Sequence, residues 1–533
     1  MHIIYIYIYI MSISSDYFFY ADVNYVDTSN VLSNYMNLTH NTNNSLDLSE
    51  NTLSKYARGI FFSPNYNKQF FDAINWANNL GDYKTQLNLI NPFNNSLINI
   101  DLLNNNVPSI KSSIIDIAPI NGEHDGDSFG FAVACNADGT VFAASGPFND
   151  GNAYPTNTSV GHVRVYKRNG NAWDQMGADI DGDIINGGRM IGYSSQALSL
   201  NSDGTILAIG ADRHGGPGHD SGDVIIFDYV KGRTPSEWKQ LGNIMHGEAT
   251  YNYSGQTVSL NSDGTIVAIG AKFNNGGGIA NYTGHVRVYD YDVNRNPQWV
   301  QIGADIDGKP GISITNYFGA SVSLNDNGNI VAIGGVYGMD DNSIATGSVR
   351  VYDYIKGRNP EWKQLGYDIY GDAIYNYFGE CVSLSSDGTI VAIGAWGNDG
   401  VTSNQNDNRG LVRVYDYVET RTPKWDKLGS GIVGEDAGDN SGFSISLSAD
   451  GTILAIGAKN NNGNGPNSGH VRVYQYIDND WEQIDVDIDG EDENYQSGHS
   501  VALSKNGSVL VVGEPYNNIN GTSSGRVFTY EIV

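Results

Sequence analysis

Carboxylates spaced two apart are the residues of this chain whose pattern suggests chemistry most directly. Asp179-Ile180-Asp181-Gly182-Asp183 carries three, and Asp487-Ile488-Asp489-Gly490-Glu491-Asp492 carries four. Asp305 and Asp307 form a reduced copy, and Glu123, Asp125 and Asp127 an echo. In an extended segment alternate side chains share a side, so Asp179 and Asp181 would face one way. With backbone carbonyls they could hold a hard cation such as calcium, which takes about six to eight oxygens. Asp179, Asp181, Asp183, Asp487, Asp489 and Glu491 are therefore the candidate metal ligands. The plainer alternative is that they are turn residues and solvated strand ends, since Asp-Gly marks turns in any case.

The other reactive side chains form no recognisable constellation. The ten His residues make no H-x-x-x-H or Cys/His ligand pattern. His162, His285 and His470 fall at one recurring position, which reads as packing or a turn bond. Arg164, Arg287, Arg350, Arg413 and Arg472 also recur, as expected for ion pairs between repeats or exposed strand faces. There is no G-x-S-x-G, phosphate loop, dinucleotide fingerprint or zinc motif. No catalytic residue and no cofactor are expected on these grounds, calcium excepted. Trp396 stands out among the aromatics. It follows Gly394-Ala395 in a loop-forming position, and is the candidate exposed contact for a ligand.

The elements that must position these residues repeat. Seven copies of one segment begin at Ser128, Tyr193, Tyr253, Tyr317, Tyr377, Asn440 and Gln496, with a period of roughly sixty residues. In the third copy Thr257–Leu260 alternates polar and apolar, and Asn261-Ser262-Asp263-Gly264 supplies a tight hairpin. Thr265–Ala271 follows, apolar on both faces, as in a strand covered on both sides. A variable Gly/Asn-rich loop leads to the alternating strand Gly284–Tyr291, and Trp299-Val300-Gln301-Ile302-Gly303 closes the unit. Four strand signals per unit and seven units predict an all-β fold, a seven-bladed β-propeller of four-stranded antiparallel blades, over residues 112–533. The chain ends after only three strands of the seventh unit. An orphan strand, Ser113–Pro119, precedes the first. It is expected to complete the last blade and close the ring. Residues 1–111 lack the repeat and read as a largely irregular, partly disordered extension. Lys68–Leu80 has helical spacing with Gly81 as a stop, and Leu97–Leu103 alternates like a short strand.

Composition excludes several function classes. The net charge of −29, from 59 acidic and 30 basic residues, opposes nucleic acid and anionic membrane surfaces. No stretch approaches the length of a membrane span. The start, MHIIYIYIYI, has neither the positive charge nor the cleavage site of a secretory signal, and translation could begin at Met1 or Met11. Cys135 and Cys381 fall in the first and fifth repeats, too far apart in a ring of seven for a disulfide.

At these residues the chain resembles the FG-GAP repeat family, the repeat of the integrin α-chain propeller and of many bacterial surface proteins. Phe129-Gly130, Phe318-Gly319 and Phe378-Gly379 match the FG element. Ala211, Ala271, Ala395 and Ala458 after Gly match the GA, and Ser145-Gly146-Pro147 comes nearest to the full form. The resemblance covers residues 112–533 and implies the propeller fold, with a secreted or surface location. Calcium-binding members carry several carboxylates in the first hairpin of a blade. Here that hairpin is Asn261-Ser262-Asp263-Gly264, with one carboxylate, so the family's metal site is not carried over.

The function expected from these readings is a non-catalytic scaffold and monomer that binds a protein or glycan through its blade loops, without nucleic acid and without membrane insertion. The alternatives are a calcium-supported adhesion module and an enzyme with its site at the central channel.

Overall fold

The protein is described from a computed structural model. It covers residues 113–533, apart from 152–158, 183–189, 216–217, 232–236, 276–281, 310–315, 341–343 and 401–406, and five strands within residues 1–111. The chain divides into two compact units, Met1–Lys111 and Ser112–Val533. In the first the described strands form one sheet, in the order Ala57–Arg58, Asp16–Asn24, Ile3–Ile13, Lys84–Ile90, Leu97–Asp101, the last within the strand expected over Leu97–Leu103. Alternating Ile and Tyr, β-branched and aromatic, suit a pleated strand, which explains the Ile3–Ile13 segment. The helix expected over Lys68–Leu80 lies outside the described residues. No helix among those residues is long and apolar enough to cross a membrane.

Ser112–Val533 is a seven-bladed propeller. In blade 3 the strands run Thr257–Leu260, Ile266–Ala271, His285–Tyr291, Trp299–Gln301, with Ile306–Asp307 also pairing on the third strand. The seventh blade takes Ile114–Asn121 as its outer strand, antiparallel to Arg526–Ile532, with Ile117 opposite Thr529 and Ile114 opposite Ile532. Ser113 and Val533 exchange backbone hydrogen bonds at 2.9 and 3.0 Å, so both ends of the array meet in one blade as the orphan strand required.

Each blade fits the next through small residues and regular bonds. Ala268, Ala332 and Ala392 are fully buried. A side chain at Gly270 would collide with the Gly319 carbonyl of the next blade, so this glycine permits the close approach of neighbouring sheets. The recurrent Trp is a staple between blades. Trp299 Nε1 donates to the Leu241 carbonyl at 2.8 Å and Trp362 Nε1 to the Ile302 carbonyl at 3.0 Å. Gly242 and Gly303 of the Trp-x-Gln-x-Gly segments leave room for the following indole. At one end of the channel the hairpins form a closed hydrogen-bonded ring. Amides of Ala137, Ser202, Ser262, Asp326, Ser386 and Ala449 each donate to the carbonyl of the next hairpin, ending at Lys505, and Asn506 donates back to Ala137. The hairpin Asp263 accepts from the amide and hydroxyl of Thr265 at 3.1 and 2.6 Å, a turn-stabilising role. Cys135 and Cys381 are free thiols.

Candidate functional site

The opposite mouth of the channel is built from strained backbone. Tyr253, Tyr317 and Tyr377, each opening a repeat, have φ of 52°, 53° and 52°. Non-glycine residues adopt this left-handed region only where surrounding structure holds them there. The Tyr253 amide donates to the Asp220 carbonyl at 3.1 Å and that of Tyr317 to the Tyr282 carbonyl at 3.2 Å. The rings join into an arc over blades 3 to 5. Centroids lie 5.1 Å apart for Tyr253–Phe273, 5.0 Å for Phe273–Tyr317, 5.4 Å for Tyr317–Tyr337 and 5.6 Å for Tyr337–Tyr377. Trp396 ends the arc, stacked on Tyr377 at 4.2 Å and 9°. The sequence candidate is thus half-buried in a stack, and its indole Nε1 has no hydrogen-bond partner among the described residues. Across the mouth Phe131 meets His499 at 4.4 Å and Tyr193 at 5.5 Å. Gln196 of blade 2 donates to the Glu380 carbonyl of blade 5 at 2.9 Å, spanning the channel.

Titratable groups converge on the same mouth. Asp212, Lys272, Trp396 and Lys459 all occupy the position after Gly-Ala in their blades. Asp212 is 3% exposed, and its Oδ1 has no hydrogen-bond partner. Burial pushes its carboxyl up to about 6, against the pull of Arg213 and Lys272. Burial brings the Lys459 ammonium down to about 8, with Glu380 opposing; it lies 3.4 Å over the Phe443 ring. His499 is held to about 3 by burial and by Lys459. Active sites displace acids and bases in this way, as do buried structural networks. A pocket of about 430 Å³ opens beside Asp212, lined also by Tyr193, Arg213, Tyr253, Gln256, Lys272 and Phe273. The Gln256 Oε1 is a second buried acceptor there with no partner.

The carboxylates singled out from sequence lie elsewhere, where the third and outer strands of a blade meet. Asp179 accepts from Gln175 at 2.7 Å and has Oδ2 3.8 Å from His162 Nδ1, while Asp181 is in register with His162. Asp183 lies outside the described residues. Asp487 is held by Arg472 at 3.1 Å and Gln483 at 2.6 Å. Asp489 is in register with His470, its carboxyl raised by burial. Glu491 does not join them. It follows the crossover into the next blade, where Arg526 reaches it at 2.7 Å. What the fold assembles is a different set, Glu123–His162–Asp179, Glu248–His285–Asp305 and Glu435–His470–Asp487, each with ligand atoms within 4.8 Å of one another. The crossover Glu comes from the preceding unit, and that long-range step hid the grouping. Ion pairs of Arg164 with Glu123, Arg287 with Glu248 and Arg413 with Asp372 tie successive units, one of the two roles read for the recurrent Arg.

No protein-family model and no curated protein matches this sequence. Among solved structures the fold is similar to the periplasmic gluconolactonase PpgL of Pseudomonas aeruginosa, at 13% identity and a TM-score of 0.43, over 70% of this chain and 96% of that one. That neighbour is an enzyme, so the expectation of a non-catalytic scaffold is not carried forward. At this identity the likeness carries neither that reaction nor its substrate to this chain.

Proposed function

We propose that the propeller acts on a small ligand rich in hydroxyl or amino groups, of sugar size, by proton transfer in the pocket between blades 2 and 3, with Asp212 as the acid–base group. The observation that carries this reading is one pocket lined by both Asp212 and Gln256, each of which has a buried side-chain oxygen, Oδ1 and Oε1, without a donor. Buried polar atoms without partners are costly, and a ligand hydroxyl or ammonium would satisfy both. The Tyr193, Tyr253 and Phe273 rings offer flat apolar faces to the carbon skeleton, and Arg213 and Lys272 offer donors. A carboxyl held near 6 is close to the operating pH at which a general acid or base works best. The test is a panel of sugars, sugar esters and amino sugars, screened for binding by ligand-observed NMR and for turnover by proton release. At least one member should bind and turn over, and Asp212→Asn should retain binding while losing turnover. A panel with no bound member, or an Asp212→Asn variant that turns over at the parent rate, would overturn the reading.

A further inference from the structure

Four positions recur around the His residues that open the third strands. His162, His285 and His470 are the first residues of those strands, and Asp181, Asp307 and Asp489 are their cross-strand partners. Blade 2 exchanges the types: Asp223 opens the strand and His246 is its partner. There the groups close into contact. His246 Nδ1 lies 2.7 Å and His214 Nδ1 2.5 Å from the Asp223 carboxylate. The scaffold can therefore seat an imidazole against a carboxylate at this place.

In blades 1, 3 and 6 it keeps them apart. The shortest Nδ1–carboxylate separations are 3.8 Å at His162–Asp179, 3.6 Å at His285–Asp305 and 3.7 Å at His470–Asp487, with Glu435 at 4.0 Å from His470. These exceed a hydrogen bond of about 3.2 Å. The imidazoles are buried, at 1%, 4% and 1% exposure. Both ring nitrogens of His162 and Nδ1 of His470 have no hydrogen-bond partner among the described residues. The same gap, beside the same Glu and Asp, occurs three times.

We infer that Glu123–His162–Asp179, Glu248–His285–Asp305 and Glu435–His470–Asp487 are three copies of a site for a borderline divalent cation such as zinc. Zinc bonds nitrogen and oxygen at about 2.0–2.2 Å in a tetrahedron, so two ligand atoms on one ion lie about 3.3–3.6 Å apart. The His–Asp separations of 3.6–3.8 Å stand at or just beyond that edge, and the side chains would draw together on the ion. An imidazole among the ligands selects zinc, cobalt or nickel over calcium and magnesium, which prefer oxygen alone. Arg287 and Arg472 grip the carboxylates at 2.9 and 3.1 Å and fix their orientation, as outer-shell partners of a metal site do. Their charge opposes a dication, so the expected affinity is micromolar rather than that of a permanent structural ion. Three protein ligands leave one position open to water.

The test uses the full-length chain after chelator treatment. Zinc is titrated by calorimetry, and cobalt by its visible absorption, with calcium as the contrasting ion. Saturable binding of zinc and cobalt, near three equivalents, is expected, with none of comparable affinity for calcium. The variant Glu123→Gln, Glu248→Gln, Glu435→Gln changes only the partly exposed ligands and leaves each buried His in place. It also removes the Glu partners of Arg164, Arg287 and Arg472, so its melting temperature should fall, but it should stay folded by circular dichroism and weaken binding at least tenfold. A His162→Phe, His285→Phe, His470→Phe variant provides the second check, with circular dichroism to confirm folding. No saturable zinc or cobalt binding to the folded parent, or binding unchanged in the Gln variant, would overturn the inference.

Discussion

Replacing Asp212 by Asn should stabilise the protein near neutral pH while removing the proposed proton transfer. Burial lifts the Asp212 carboxyl from 3.8 to about 6. At about 1.4 kcal/mol per pH unit, the folded state holds the ionised form at a cost of about 3 kcal/mol. The sign follows from the raised value. Below about pH 3 the carboxyl is protonated in folded and unfolded chains alike, and the cost is absent. Between about pH 3 and 6 the unfolded chain releases its proton while the folded one resists, so stability falls as pH rises. Above about pH 6 nearly the full cost applies. Asn carries no such dependence. The difference in unfolding free energy between Asp212→Asn and the parent should therefore grow in favour of the variant, by about 3 kcal/mol from about pH 3 to pH 7. Guanidinium unfolding at several pH values measures it, and the change with pH removes any fixed effect of the amide itself. A difference that stays constant over this range, or that grows in favour of the parent, would refute the reasoning.

Other outcomes follow from the blade interfaces. Ala332→Leu should lower stability by about 1–3 kcal/mol, because the site is fully buried between sheets and has no room for the added methyl groups; an unchanged denaturation midpoint would place the strand at a surface. Comparing chains 112–533 and 122–533 isolates the closing strand. Loss of Ile117 burial alone should cost about 2–5 kcal/mol, and equal melting of the two would show that Ile114–Asn121 does not hold blade 7 together.

The propeller was legible because its rules repeat. Asp-Gly or Asn-Gly hairpins, Gly-Ala strand ends and the Trp-x-Gln-x-Gly segment occur in unit after unit, and each has one physical reason that recurs with it. The ring closure was legible from a missing strand at one end and a spare at the other. Residues 1–111 offer no repeat to read, and in Ile3–Ile13 only the alternating Ile and Tyr, types that favour a strand, point to the sheet. The mouth was hidden for the opposite reason. Its residues sit where the units differ. Trp396 drew notice as an odd aromatic after Gly-Ala, but Asp212, Lys272 and Lys459 occupy the same position in other blades. Aligning that one column shows an acid, two amines and an indole converging on one channel. The candidate carboxylates divide between blades: Asp179 lies by His162, Asp487 by His470, and Glu491 pairs with Arg526 of the next blade.

The most direct test of the central claim is a crystal structure of the propeller with the best-bound sugar. A ligand hydroxyl or amino group should lie within about 3.2 Å of both Asp212 Oδ1 and Gln256 Oε1, with a ring face against Tyr253 or Phe273. Ligand density away from this pocket, or ligand in the pocket with both oxygens still without a donor, would contradict the account.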